Sequence, residues 1–341
     1  MEISDISEIT DEFLYKKGFC GLQNLGNTCF MNSILQCLNN TQPLLKYLFS
    51  ENFTENISSN KSGALTLALK EVMKNLWYKN AVYSPVKFLR TLQMLSLEKN
   101  RFEFSGLGQN DSQEFLQFIL EILQESLSKE IYIEIEGEPE DEYDEFAIKA
   151  YTSYKKFFEK DYSEIIEIFY GQYFTQIETA TKDKYEKSYS FEPFNMLSIE
   201  IPTNSKNLYE CLDNFSSIET VIEDDTRKII KKVLFWTLPN VLIIFLKRYS
   251  NNLEKIDKFL DFPIDNLDMS KYVKGYNRES YKYSLYGISN HGGGLGGGHY
   301  WSYIKNIDGE WYKFNDNLVS TISLEKVVSE NAYCLFYKKN D

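Results

Sequence analysis

The hydrophobic pattern of this chain changes period once, and that change sets the class of fold open to it. From Gly18 to about Leu127 the apolar residues recur at helical spacing. In CFMNSILQCLNN, residues Phe30, Ile34, Cys37 and Leu38 return every three or four positions, behind Thr28 or Asn27 as a cap. In DSQEFLQFILEIL, residues Phe115, Phe118, Ile119, Ile122 and Leu123 share one face, and Asp111 and Glu114 have the spacing of a capping box. Ser84-Pro85 reads as another helix start, with proline at the first helical position. After Ile165 the period shortens. IEIFYGQYFTQIET, SFEPFNMLSIEIP, KKVLFWTLPNVLIIFLKRY and YKYSLYGIS are rich in aromatic and β-branched residues and read as strands. Asp308-Gly309, between YWSYIKN and EWYKFND, signals a hairpin. Helices first and strands afterwards predict an α+β fold.

The bulk properties narrow the partners. A formal charge of −13 argues against a nucleic-acid role, since binding a phosphate backbone draws on Lys and Arg. Five cysteines, odd in number and scattered without a C-x-x-C pair, fit a reducing compartment and offer no zinc framework. The N-terminus, MEISDISEITDEF, lacks the basic-then-apolar order of a secretory signal. The run from Val241 to Leu246 is too short to span a bilayer. The expectation is an intracellular protein, cytoplasmic or nuclear, with no membrane or nucleic-acid partner and no cofactor. Residues 1–17 read as a polar extension, and the acidic stretch 134–146 as a solvated loop or insertion.

The chain has only two histidines, His291 and His299, and they bracket HGGGLGGGH. A general base near neutral pH is usually histidine, so histidine-dependent chemistry must use this segment. A metal site there would need more ligands, and no cysteine lies near. A phosphate-cradling loop would lead into a helix, whereas this run leads into the strand-like HYWSYI. A nucleophile is best sought at Cys29. It starts a predicted helix, where unpaired N–H groups and the helix dipole favour a thiolate. QNLGNT ahead of it supplies tight turns and a side-chain amide that could face an oxyanion. Cys37, on the apolar face of the same helix, reads as inert core.

These segments carry a family resemblance. GLQNLGNTCFMNSILQCL resembles the cysteine box of the ubiquitin-specific proteases, and GLGQNDSQEFLQFILEIL their Gln-x-Asp-x-x-Glu-Phe element. YGISNHGGGLGGGHYWSYIKNIDGEWYKFNDNLV resembles the histidine box, and LPNVLIIFLKRY the family's signature strand. The four run in family order from Gly18 to about Tyr337. The resemblance implies a papain-like cysteine protease fold of thumb, fingers and palm, here about 18–165, 166–236 and 237–341. It implies a thiol protease cleaving after the C-terminal glycine of ubiquitin, with ubiquitin or ubiquitinated proteins as partners. Cys29 would be the nucleophile, His299 the base and Asn24 the oxyanion donor. Asn315 falls where the family places the residue that orients the imidazole, and Asp316 follows at once; which of the two does so stays open. Gln109, Asp111 and Tyr300 would line the channel for the ubiquitin tail. His291 would belong to a mobile loop over the cleft, outside the catalytic set.

Counting back from an Asp308-Gly309 turn sets His299 opposite Leu318, so its contact with Asn315 would need twist or a bulge. Many relatives hold a zinc at the fingertip with two C-x-x-C pairs. Here 169–236 contains only Cys211 and no histidine, so strand pairing and apolar packing must hold the fingers. A catalytically dead ubiquitin-binding scaffold, or a protease for another ubiquitin-like modifier, remain the alternative readings.

Overall fold

Helices gather in the first half of the chain and strands in the second, as the change of period predicts. The structure, a computed structural model, describes residues 17–78, 80–181, 185–224, 227–249, 254–294 and 297–340. Of the polar extension expected at 1–17, all but Lys17 lies outside the described residues. The helices are α1 (Cys29–Asn39), α2 (Gln42–Leu48), α3 (Glu51–Asn56), α4 (Lys61–Tyr78), α5 (Val86–Glu98), α6 (Ser112–Leu127), α7 (Glu142–Phe158), α8 (Glu164–Phe169) and α9 (Leu208–Phe215). Two short strands, β1 (Gly21–Leu22) and β2 (Val82–Tyr83), pair in parallel within the helical part.

The remaining strands form two sheets. The larger orders β13 (Leu318–Thr321), β12 (Trp311–Asn315), β11 (Gly297–Lys305), β10 (Lys282–Gly294), β14 (Ala332–Lys339), β8 (Val241–Lys247) and β5 (Leu197–Glu200), with β9 (Leu267–Asp268) on β10. The smaller orders β4 (Tyr185–Phe194), β3 (Gly171–Thr181), β7 (Arg227–Thr237) and β6 (Glu219–Asp224).

Burial follows from the pattern of each segment. β8 reads VLIIFL because both its faces are covered. Val241, Ile243 and Phe245 pack with the helices, while Leu242, Ile244 and Leu246 pack into a second core behind the sheet. α6 buries the five residues that share its predicted face, and Asp111 caps it by accepting from the Gln113 N–H at 2.6 Å. α1 is buried on every side, Asn32, Gln36 and Asn39 included, because it lies between the other helices and the large sheet. Among the described residues, no helix is long and apolar enough to cross a membrane, and no group of three or more His, Cys, Asp and Glu converges to hold a metal ion.

The structure corrects several local readings. The acidic stretch 134–146 is not all loop: α7 begins inside it at Glu142, capped by Asp141, with Glu142, Asp144 and Glu145 in its first turn. Acidic side chains there complement the helix dipole, so the charge run marks a helix start as well as a solvated surface. α7 then lays Ala147 and Ala150 on the smaller sheet against Phe174, Phe191, Leu234 and Trp236. EIIEIF, overlapping the first expected strand, is the helix α8, capped by Ser163. Pro85 holds the cap position, and α5 begins one residue later at Val86.

Candidate active site

The loop before α1 wraps around one side-chain oxygen. Asn24 Oδ1 accepts from the Gly26 N–H at 3.0 Å and the Thr28 N–H at 3.1 Å. Gly26 and Asn27 take φ of 105° and 53°, a left-handed path open to glycine and asparagine. Thr28 sits at the cap position, yet its hydroxyl accepts from Leu25 N–H instead of capping α1. Cys29 is the first helical residue, and the backbone N–H of Tyr300 reaches its thiol. The expected thiolate-favouring helix start is therefore present, but burial outweighs it. Burial pushes the thiol up most, Asp316's charge adds to this, and the N–H groups of Tyr300, Phe30 and Cys29 itself oppose it.

His299 lies on β11, which pairs with β10 through the glycine run: Gly292 faces His299, Gly293 faces Gly298 and Gly294 faces Gly297. Its described residues, 291–294 and 297–299, are two paired strands rather than a loose loop. His299 Nε2 lies 2.5 Å from Asn315 Oδ1. An amide oxygen only accepts, so the neutral ring that fits this contact carries its proton on Nε2 and offers Nδ1 as the base.

No bulge is needed for that contact. Asn306 N–H donates to Glu310 O and Gly309 N–H to Asn306 O, so the β11–β12 connection has three residues, with Gly309 at φ 84°. The ladder pairs Ser302 with Phe314 and Lys305 with Trp311. Continuing it sets Asn315 across from Trp301, two residues from His299 and on the same face. Such diagonal neighbours are within reach of long side chains.

Asp316 does not touch the imidazole. It sits at φ 50° in the two-residue turn between β12 and β13, outside the regular pleat. Its Oδ2 accepts from Asn24 Nδ2 at 3.0 Å and its Oδ1 from Asn32 Nδ2 at 2.8 Å. The turn is docked on β1, where Leu22 N–H donates to Asp316 O and a Cβ on Gly21 would stand 2.5 Å from Asn317 O. Asn32 was missed by sequence reasoning. The signal was an amide three residues after Cys29 on a helix otherwise committed to core.

Cys29 opens on a cleft of about 190 Å³ whose walls include Asn27, Gln109, Asp111, Gly298 and Tyr300, together with Tyr249 and His291. Gln109 reaches across to Gly298, accepting from its N–H at 3.3 Å. Asp111 accepts from Tyr333 OH at 2.6 Å as well as capping α6. His291 is a buried residue of β10 opposite Tyr300, not part of a loop over the cleft.

A sequence profile described as ubiquitin carboxyl-terminal hydrolase matches residues 20–337. Ubiquitin carboxyl-terminal hydrolase 2 of Bos taurus is 33% identical over 349 residues, covering 94% of this chain and 55% of that protein. The chain thus spans about half the length of that relative. A probable ubiquitin carboxyl-terminal hydrolase of Acanthamoeba polyphaga mimivirus, R319, is 26% identical, covering 95% of this chain and 91% of that protein. Among solved structures, a SAGA DUB module of Ubp8, Sgf11, Sus1 and Sgf73 bound to monoubiquitin aligns at TM-score 0.72 and 26% identity, covering 99% of this chain and 73% of that one. The same assembly bound to ubiquitin aldehyde aligns at 0.71 and 27%, covering 96% and 71%.

Proposed function

This chain belongs to the ubiquitin carboxyl-terminal hydrolase family, and on that premise we propose that it is a thiol protease cleaving peptide or isopeptide bonds after the C-terminal glycine of ubiquitin. The observation that carries the reading is the His299–Asn315 pair, on a strand whose next residue, Tyr300, lines the cleft with Cys29.

In this mechanism His299 Nδ1 takes the Cys29 proton, and the thiolate attacks the glycine carbonyl. Asn315 holds the ring by accepting from Nε2–H. One N–H of the Asn24 amide is engaged by Asp316, and the second is left for the oxyanion, with backbone N–H groups beside Cys29. Collapse passes the proton from His299 to the departing amine and leaves a thioester, which water hydrolyses with His299 again as base. Gln109, Asp111, Gly298 and Tyr300 bound the channel for the tail, where glycine permits close backbone approach. The segments 18–165, 166–236 and 237–341 act as thumb, fingers and palm around ubiquitin. The place of action is inside the cell, in cytoplasm or nucleus.

Hydrolysis of a ubiquitin C-terminal fluorogenic substrate, with a panel of ubiquitin and ubiquitin-like C-terminal electrophiles, tests the reading. A covalent ubiquitin adduct at Cys29 and turnover are expected. A folded protein that binds ubiquitin without turnover or adduct would be a scaffold. An adduct with another modifier alone would reassign the substrate.

A further inference from the structure

One of the chain's two histidines is unused by the proposed chemistry, yet the structure holds it firmly. His291 is 6% exposed and faces Tyr300 across the β10–β11 ladder. Its Nδ1 lies 3.1 Å from the Tyr249 hydroxyl, and its ring lies 4.5 Å from that of Tyr300 at 34°. Its backbone N–H donates to Asn331 O at 2.8 Å, and its carbonyl accepts from Lys255 Nζ at 3.2 Å. The remaining edge of the ring abuts the cleft wall: a Cβ on Gly298 would stand 2.1 Å from His291 Nε2. On its other side Gly298 is gripped by Gln109, which accepts from its N–H at 3.3 Å and donates to its carbonyl at 3.5 Å. Gly298 immediately precedes His299.

Tyr249 and Lys255 form an antiparallel bridge in the segment after β8. That segment is anchored by the buried Arg248, which donates to Ala332 O at 2.9 Å, Ile256 O at 3.1 Å and Lys258 O at 2.5 Å. His291 is therefore the joint between an anchored segment and the hairpin that carries His299.

We propose that His291 is a positioning residue: clasped by Tyr249 and Tyr300, it sets the backbone of Gly298 in the wall of the tail channel and thereby the entry of substrate to His299. This rests on the proposed function. The Tyr249 hydroxyl can donate to Nδ1 of the Nε2–H tautomer or accept from an Nδ1–H, so it keeps its bond to the ring in either form. The titratable groups around the ring are Tyr249, Lys255 and Asp257 after β8, Asp111 at the α6 cap, Tyr300 and His299 on β11, and Tyr333 on β14. Asp111 is committed to Gln113 and Tyr333, and Asp257 to Lys255. Burial and the Lys255 ammonium accordingly hold His291 below the ordinary histidine range. Protonation sets a cation beside the Lys255 ammonium and fixes the Tyr249 hydroxyl as acceptor, so the clasp is loosened by like-charge repulsion rather than by loss of the hydrogen bond.

The test compares wild type with Tyr249→Phe, His291→Gln and His291→Leu. It uses steady-state hydrolysis of the ubiquitin fluorogenic substrate between pH 5 and 8, and amide hydrogen exchange without substrate. Tyr249→Phe should raise KM about fivefold, the worth of one neutral hydrogen bond, with kcat within about twofold. It should also speed exchange in 254–258 and in β10–β11 together. Wild-type KM should climb only as pH falls below the ordinary histidine range, and His291→Gln should abolish that climb. His291→Gln should also outperform His291→Leu at pH 7.5, because its amide still offers Tyr249 an acceptor. Equal defects in the Gln and Leu variants, or a KM climb that survives in His291→Gln, would reduce His291 to space-filling and overturn the proposal. Absence of hydrolysis by wild type at every pH would sink the proposed function instead. Exchange alone then decides: no faster exchange in Tyr249→Phe, or a change confined to one segment, rejects the clasp.

Discussion

Asp316→Asn tests the oxyanion side of the proposed site without changing its shape. Asparagine tolerates the left-handed φ of 50° as aspartate does, so the β12–β13 turn should survive. The carboxylate serves two amides, Asn24 Nδ2 at 3.0 Å and Asn32 Nδ2 at 2.8 Å. Asparagine has one oxygen, and its own NH₂ would face an NH₂ on the other side. Asn32 is 2% exposed and Asn24 is exposed, so the surviving oxygen should stay with Asn32, where an unmade bond is costlier. Asn24 is then the amide set free. The stability cost should be small, about 0.5–1.5 kcal/mol, because the lost bond lies at the surface. The catalytic cost should be larger. An oxyanion donor is worth about 10²–10³ in kcat, and losing its aim should remove about 10–100-fold while KM stays within about twofold. Steady-state kinetics of wild type, Asn24→Ala, Asp316→Asn and the double variant decide the matter. If Asp316 acts through Asn24, the double variant should be no slower than Asn24→Ala within about twofold. Effects that multiply would show that Asp316 has a separate role and refute the chain of reasoning.

Cys29→Ala should abolish labelling by a ubiquitin electrophile, while Cys37→Ala keeps it, since Cys37 is fully buried and its thiol is pushed well above the ordinary range; the reverse pattern would reassign the nucleophile. Asn315→Ala should lower turnover by misorienting the imidazole, whereas Asn315→Asp should keep substantial activity and move the acidic limb of the pH–rate profile upward, because a carboxylate favours the imidazolium. Gly298→Ala should raise KM and cost about 1–3 kcal/mol of stability, since its Cβ meets backbone Gly292 O at 2.8 Å as well as the His291 ring; kinetics and denaturant unfolding read the two effects. His291 titrates lower in the folded than in the unfolded chain, so the unfolded chain binds the proton first. Its contribution to stability should be complete above about pH 6.5 and fade as pH falls below it; urea unfolding of wild type against His291→Gln should show wild type losing more between pH 7.5 and 5.

Much of the α+β layout was legible because its signals are local. The periodic face of α6, the loop-forming QNLGNT before Cys29 and the doubly buried run of β8 each follow from a few adjacent residues. What escaped depends on longer counts. The acidic stretch looked like a solvated loop because its helix, α7, buries only Ala147, Ala150 and Phe158, too sparse a set to mark a period. Gly292, Gly293, Gly294, Gly297 and Gly298 looked like part of a loop because nothing in their composition says that β10 and β11 continue through them. The instructive miss lies between His299 and Asn315. A two-residue turn at Asp308-Gly309 would set Asn315 opposite Ser302, on the face away from His299. The three-residue connection, with Ile307 included and Gly309 in the left-handed region, shifts the pairing by one and turns Asn315 to the histidine's own face. Side chains alternate along a strand, so one residue of loop length decides whether the imidazole has a partner at all. Shortening that connection by deleting Ile307 should therefore abolish the proposed hydrolysis with all the proposed catalytic residues intact. Restored activity after reinserting any single residue there would show that register, not the isoleucine itself, is what the site requires.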